Sequence, residues 1–240
     1  MFKEIKTIKS RVTMALAAVM LLSAADVHAA PITQPTGLSF GASYRLVFVT
    51  SGTTTATSTD IATYNTFVSN AANAVSELAA LSTTWSAIGS TATVDARDNT
   101  NTNPSSAGVP IYLLDGSSLV AASNTDFWDG TISSAIDLDE NGNTFSGSSR
   151  VWAGTNANGT KSPSRVLGDV SGQTRRGLKT ATNDDWIMFA NDLSIGQLSL
   201  YAISDVITIS EDSPIPEPGM MLIFGAGLIG LVAIRRRRQI

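Results

Sequence analysis

The side chains that could do chemistry in this sequence are mainly carboxylates. The chain of 240 residues has one histidine and no cysteine, and the histidine, His28, lies near the N-terminus. The rest of the chain therefore lacks the residues for a Ser-His-Asp arrangement, a Cys-His arrangement or a His/Cys zinc site. Paired carboxylates at a suitable separation would suit glycoside hydrolysis. The nominal pairs are Asp126 with Asp129 and Asp184 with Asp185.

A Ser-Lys pair is the other nucleophilic arrangement that the composition permits. The only lysines beyond the N-terminal region are Lys161 and Lys179. Closely spaced acids are common in the loops of soluble proteins, so neither carboxylate pair is distinctive. We therefore expect no enzyme, no catalytic residue and no cofactor, and we keep a carboxylate-based hydrolase as an alternative.

One segment has the alternating oxygen ligands of half a calcium loop. Asp137, Asp139 and Asn141 alternate ahead of Gly142, which would make the sharp turn. The position that should supply the bidentate glutamate is Ser148, so half of the site is missing. A surface turn at Asn141-Gly142 explains the same residues without a metal. We therefore predict no metal site, with these three residues as a weak calcium candidate.

Four tryptophans could form a platform on which sugar rings stack. Each lies in a mainly apolar context, so we expect most of them to be in the core, and one exposed indole is left open. The four are Trp85, Trp128, Trp152 and Trp186.

The first 29 residues have the parts of a secretory signal. Four cations lie within residues 3–11, an apolar run covers residues 12–25, and Val27-His28-Ala29 is a small-x-small pattern that suits cleavage after Ala29. An uncleaved anchor helix or a buried helix is the alternative. Cleavage after Ala29 would also remove the single histidine.

The charge of the middle of the chain argues against nucleic acid and anionic membrane surfaces as partners. The chain has 16 Lys and Arg against 20 Asp and Glu. Half of those cations lie in the two ends, so the segment between them is far more acidic than the whole. Such a domain should be repelled by nucleic acid and by anionic membrane surfaces. Without cysteines it must also rely on a core of adequate size.

The C-terminus combines a short motif, an apolar span and a basic cluster. Pro216, Glu217 and Pro218 precede residues 219–234, which carry no charge, and the chain then continues with Arg235, Arg236, Arg237 and Arg238. As a helix the span would cover about 24 Å, short of the ~30 Å of a hydrocarbon core, and local thinning of the bilayer can accommodate the difference. The arginines should stay cytoplasmic and leave the preceding domain outside.

This tail closely resembles the PEP-CTERM sorting signal of Gram-negative bacteria that make extracellular polysaccharide. The resemblance implies that an exosortase, an integral membrane enzyme, recognises the Pro-Glu-Pro region and removes the span. A single-span anchor that is never processed is the alternative.

The chain between the two ends is predicted to be an α+β domain. The organisation is a signal peptide at 1–29, a lead-in at 30–43, an exported domain at 44–210, a linker with the motif at 211–218, a transmembrane helix at 219–234 and a basic tail at 235–240. Within the domain, apolar spacing predicts one or two early helices followed by short strands. The elements expected are a strand at 44–50, a helix at 60–81 broken near Ala74, and strands at 109–116, 150–155, 185–189 and 198–209.

This order resembles the endostatin-like branch of the C-type-lectin-like fold. The resemblance rests on the opening strand and helix, on Val109-Pro110-Ile111, on Trp128, on Val151–Thr155 and on Leu200–Ile203. The family's cysteines, histidines and arginine-rich face are absent, so its zinc and heparin binding do not carry over. Calcium-dependent sugar binding of the lectin type is not supported either, because no Glu-Pro-Asn or Gln-Pro-Asp triplet occurs.

Together these features predict an exported, non-enzymatic surface or extracellular-matrix protein associated with exopolysaccharide or a biofilm. Its expected partners are an exosortase, the membrane before processing, and extracellular polysaccharide, with no nucleic acid. A carbohydrate-binding module is the second hypothesis, and the hydrolase is the third.

Overall fold

The computed structural model describes residues 30–210 of the chain. The predicted signal with its cleavage site at Ala29, the linker at 211–218, the helix at 219–234 and the basic tail lie outside the described residues. Among residues 30–210, no helix is both long and apolar enough to cross a membrane.

The described chain is a mixed α+β structure dominated by one large sheet, as the sequence predicts. Short helices and strands alternate along it. The strands are β1 Ser43–Val49, β2 Trp85–Ala87, β3 Ile111–Leu113, β4 Leu119–Ala121, β5 Arg150–Trp152, β6 Gln173–Leu178, β7 Ala190–Leu193, β8 Ser199–Ser204 and β9 Ile207–Thr208. The helices are α1 Ile61–Asn73, α2 Ser76–Ala80, α3 Ala96–Asn99, α4 Asn124–Phe127 and α5 Asp185–Met188.

The centre of the sheet is formed by the first and the eighth strands. The strand order is β4-β3-β1-β8-β5-β6-β7, with β2 paired to β8 and β9 paired to β1. β1 runs antiparallel to β8, with Val47 opposite Ile203. It runs parallel to β3, and β5 runs parallel to β8. A near-continuous apolar sequence is typical of a strand covered on both faces, and β1 is such a strand.

Two hydrophobic clusters cover the two faces of the sheet. One face, here called the helix face, includes Leu46, Phe48, Leu200 and Ala202 and packs on α1. The opposite face, here called the loop face, includes Val47, Val49, Tyr201 and Ile203 and packs on α4, α5 and long loops. The alternation of side chains along β1 and β8 assigns successive residues to opposite faces.

Helix α1 forms as its sequence predicts. Asp60 caps it by accepting a hydrogen bond at 2.9 Å from the backbone N–H of Ala62. Its buried residues Tyr64, Val68 and Ala72 are four apart, so they form one stripe against the sheet. The predicted break near Ala74 is confirmed, because Val75 is extended and α2 begins after it.

Two expected strands differ in the structure. Residues 185–189 form the helical turn α5 rather than a strand, so that prediction is wrong. Trp186 and Ile187 are both fully buried on the loop face, which a strand would not allow for consecutive residues with one face covered. The expected strand at 198–209 is two strands, β8 and β9, separated by Asp205 and Val206.

A buried arginine joins the central strands. Arg45 on β1 donates to the carbonyl oxygen of Ser204 at 2.7 Å, although the two residues are 159 positions apart. It also lies 3.4 Å from the carboxylate of Asp205. Burial lowers the pKa of Arg45, and the Asp205 charge opposes that shift. The two terminal nitrogens of the guanidinium therefore have the polar partners that a buried cation requires, whereas Nε is buried without one.

Candidate ligand-binding groove

A shallow groove of about 490 Å³ is lined by residues of β5, of β7 and of the turn that leads into β8. Its lining combines both signs of charge, an amide, a hydroxyl and apolar surface. The lining residues are Ser148, Arg150, Trp152, Asp192, Leu193, Gly196, Gln197 and Leu198. A concave site with a few polar groups over an apolar base is the usual form of a small-ligand site.

The sheet register places the groove on the helix face. Trp152, which belongs to the core cluster of that face, is paired directly with Arg176, and Arg150 is two residues from Trp152 on the same strand. Helix α1 packs mainly on β2 and β8. The β5–β6–β7 part of the face therefore extends beyond the helix, and the Arg150 side chain there reaches solvent.

Three charged side chains form a cluster in this region, here called the arginine–aspartate triad. Arg150 Nη1 lies 3.1 Å from Asp192 Oδ2, and Arg176 Nε lies 2.8 Å from the same oxygen. The Arg150 side chain is 51% exposed, whereas that of Arg176 is 12% exposed. The Arg176 guanidinium also lies 5.0 Å from the centre of the Phe189 ring. Arg176 is thus held in place, and Arg150 remains open to solvent.

The base of the groove is the indole of Trp152. It is fully buried, and its Nε1 donates to the carbonyl oxygen of Thr54 at 3.0 Å. A Cβ on Gly196 would lie 3.6 Å from this indole, so the turn passes directly over it. Leu193 on the rim is 59% exposed. The groove therefore offers an aliphatic rim above a rigid base.

The nominal catalytic carboxylates are each engaged in local hydrogen bonds. Asp126 accepts from the backbone N–H of Ala122 at 2.6 Å, and Asp129 accepts from the N–H and hydroxyl of Thr131, both at 2.9 Å. Asp184 and Asp185 both accept from the Asn183 amide, at 3.5 and 3.1 Å. Such bonds are those of turns and helix ends, and none of these acids lines the groove.

The calcium candidate lies in a loop whose carboxylates already have protein partners. Asp139 Oδ1 accepts from the backbone N–H groups of Asn141 and Asn143, at 2.9 and 3.1 Å. The neighbouring Glu140 accepts from the backbone and hydroxyl of Ser51. Within residues 30–210, no group of three or more acidic or histidine side chains is arranged to hold a metal. Asp137, Asp139 and Asn141 therefore remain a prediction that a calcium experiment must decide.

All four tryptophans are in the core, and the most exposed of them shows only 4% of its surface. Trp128 and Trp186 lie 5.8 Å apart, ring centre to ring centre, and each contacts Phe127. Trp128 Nε1 donates to the hydroxyl of Thr102 at 2.8 Å. The expectation that most tryptophans are in the core is confirmed, and a stacking platform of exposed tryptophan does not form.

Sequence patterns alone do not predict the groove. Arg150, Arg176 and Asp192 come from three strands, and two of those strands, β6 and β7, were not predicted. The one available signal is compositional: β6 carries adjacent arginines in an otherwise acidic domain.

A comparison with known protein families finds a match at the C-terminal end of the chain. Residues 214–238 match the PEP-CTERM protein-sorting motif, which covers the Pro-Glu-Pro sequence, the apolar span and the arginines. The motif implies an exported protein of a Gram-negative bacterium that an exosortase recognises and sorts at the membrane. No curated protein matches the chain.

Proposed function

We propose that this chain is a non-enzymatic surface or extracellular-matrix protein, which an exosortase processes at its tail and which then associates with exopolysaccharide. The observation that carries the proposal is the sorting motif at 214–238, located directly after a folded domain. A tail of this kind delivers a domain to the outside of the cell, so the function belongs to the domain's surface.

Binding rather than catalysis is favoured by the chemistry available on that surface. The nominal acid pairs form turns and helix ends, as described above, and the concave site is lined by an arginine–aspartate ion pair, an amide and a hydroxyl. These groups can orient a polar ligand, but they include no nucleophile paired with a base. This supports the carbohydrate-binding hypothesis over the hydrolase.

We also propose that the domain is related to the endostatin-like branch of the C-type-lectin-like fold. Its support is the opening order of β1 and α1 together with a late strand, β8, that contains Leu200–Ile203. The proposal concerns the fold alone, because a fold does not determine a function.

Substitution of the motif tests the sorting step. In a host that has an exosortase, we expect Glu217→Ala to prevent removal of the tail, so that the intact mass retains Arg235–Arg238. Glu211→Ala is the matched control, since it removes a nearby acid outside the matched residues 214–238. Normal processing of the Glu217 variant would refute the role of the motif.

A host that makes no exopolysaccharide tests the association. There we expect the processed protein in the culture medium, whereas the parent strain should retain it in the matrix fraction. Tail removal should be the same in both strains, which separates sorting from retention. Equal retention in both strains would contradict the proposed association.

A further inference from the structure

We propose that the groove between β5 and β7 binds a carboxylate-bearing sugar unit of an acidic polysaccharide, with Arg150 as the group that contacts the sugar carboxylate. This inference rests on the proposed association with exopolysaccharide and names the chemistry of the ligand. Three features of the site favour this ligand: its charge, its hydrogen-bonding groups and its shape.

The arginine–aspartate triad beside the groove has a positive formal charge, whereas the domain as a whole is acidic. Two guanidinium groups, those of Arg150 and Arg176, share the single carboxylate of Asp192, and both contact the same oxygen. Arg150 and Asp192 are the charged residues that line the groove, and Arg176 lies behind them on the same Asp192 oxygen, so the triad has a formal charge of +1 in a chain of net charge −4. An anionic ligand would complete the neutralisation that Asp192 begins.

The exposed guanidinium has unused donors. A guanidinium carries five N–H groups in a planar fork that fits a carboxylate. Within the described residues, the Arg150 side chain donates one hydrogen bond, to Asp192. Its remaining N–H groups are therefore available on the open side of the groove, where they could form a paired contact with a sugar carboxylate.

The rest of the lining fits the remainder of a sugar ring. The Gln197 amide and the Ser148 hydroxyl supply donors and acceptors for ring hydroxyls, and Leu193 offers an aliphatic surface for the C–H face of the ring. A purely ionic site for a small inorganic anion would need none of these. The groove is also open, as required when a unit within a long polymer must enter.

Isothermal titration of the purified full-length protein tests the proposal. The probes are an oligogalacturonate, which carries a carboxylate on each ring, and a maltooligosaccharide, which is neutral. We expect saturable binding of the oligogalacturonate, weaker binding at higher salt, and much weaker binding of the neutral sugar. Arg150→Gln should weaken the oligogalacturonate affinity by about tenfold, the loss of one charge-assisted contact. Lys161→Gln is the control, since it removes one exposed cation that is not in the groove.

A second variant gives a change in the opposite direction. Asp192→Asn removes the carboxylate that competes for both guanidinium groups, so it should tighten oligogalacturonate binding several-fold. Thermal melting of each variant establishes that the fold is retained. An effect opposite in sign to that of Arg150→Gln cannot result from partial unfolding.

Three outcomes would overturn the assignment. They are no binding of the oligogalacturonate, equal binding of the neutral sugar, and equal weakening by Arg150→Gln and Lys161→Gln. Tighter binding of a poly-glutamate peptide than of the oligogalacturonate would also overturn it, in favour of an acidic protein partner. Retention in the matrix is measured separately, so the association with exopolysaccharide can hold even if this groove is not the site.

Discussion

The ammonium group of Lys179 lies 4.4 Å from the centre of the Phe145 ring and contacts the Phe145 carbonyl oxygen. Only 4% of this lysine is exposed. Burial lowers the pKa of Lys179, and the charges of Asp137 and Asp139 oppose that shift. The Lys179 ammonium is therefore a cation near Asp137 and Asp139, the two carboxylates of the calcium candidate that the sequence predicts.

Replacement of this lysine should destabilise the domain. We expect Lys179→Met to lower the free energy of unfolding by about 2 kcal/mol, because two acids lose their nearest buried cation and the Phe145 carbonyl loses its donor. For a domain of this size that corresponds to a melting temperature lower by roughly 4–8 °C. Lys161→Met is the matched control, since Lys161 is exposed. Equal melting of the two variants would contradict the structural role of Lys179.

Calcium removal should change little in the unaltered protein. We expect a chelator to shift the melting temperature only slightly, because the partners of Asp139 are backbone N–H groups. Differential scanning calorimetry with calcium and with chelator measures the shift. A decrease of more than about 10 °C would show that the loop holds calcium after all.

Alkaline pH should destabilise the domain through its buried tyrosines. Burial raises the pKa of Tyr44 and of Tyr64 to about 12 from the usual 10.0. Below pH 10 these phenols are protonated in both the folded and the unfolded state, so their contribution to the free energy of unfolding is fully present. Between pH 10 and 12 the unfolded chain ionises first, and the free energy of unfolding therefore decreases. Urea unfolding at several pH values measures that decrease.

Tyr64→Phe provides the control for the alkaline effect. The variant loses one hydrogen bond, from the phenol to the carbonyl oxygen of Ser58 at 2.8 Å, so it should be less stable at neutral pH by about 1 kcal/mol. Between pH 10 and 12 the free energy of unfolding of the variant should decrease less steeply than that of the parent. An unchanged slope would mean that Tyr64 does not contribute.

The close approach of β6 to α5 depends on a glycine. A Cβ at Gly177 would collide with the backbone carbonyl of Trp186, and the backbone has little freedom to move there because Trp186 is fully buried. We expect Gly177→Ala to cost about 3 kcal/mol in chemical denaturation. Gly52→Ala is the matched control, since its Cβ would meet only Phe67, at 3.6 Å. Similar stability of the two variants would contradict this account of the packing.

The sequence predicted those elements that local chemistry determines. β1 has a continuous apolar run, and α1 has both a capping aspartate and a four-residue apolar period. β6 has neither signal, because its sequence QTRRGL carries adjacent arginines and no alternation. It becomes a strand through its backbone pairing with β5 and β7, which no local pattern reveals.

The groove was beyond sequence reasoning for the same reason. Arg150 and Asp192 are 42 residues apart, and the contact depends on the register of β6 between their strands. The misassigned α5 shows the complementary error. Trp186 to Phe189 has the composition of a strand, yet packing against Gly177 and the aromatic cluster of the loop face selects a helical turn.

The pairing of β1 with β8 has a consequence for the timing of secretion. The two strands at the centre of the sheet come from opposite ends of the domain, and Arg45 reaches Ser204 across 159 positions. A chain that crosses a membrane from its N-terminus delivers β1 early and β8 almost last. The core therefore cannot close on the far side of the membrane until β8 has crossed. Such long-range closure is slow, so the emerged chain stays unfolded and exposed to proteases until β8 has paired with β1.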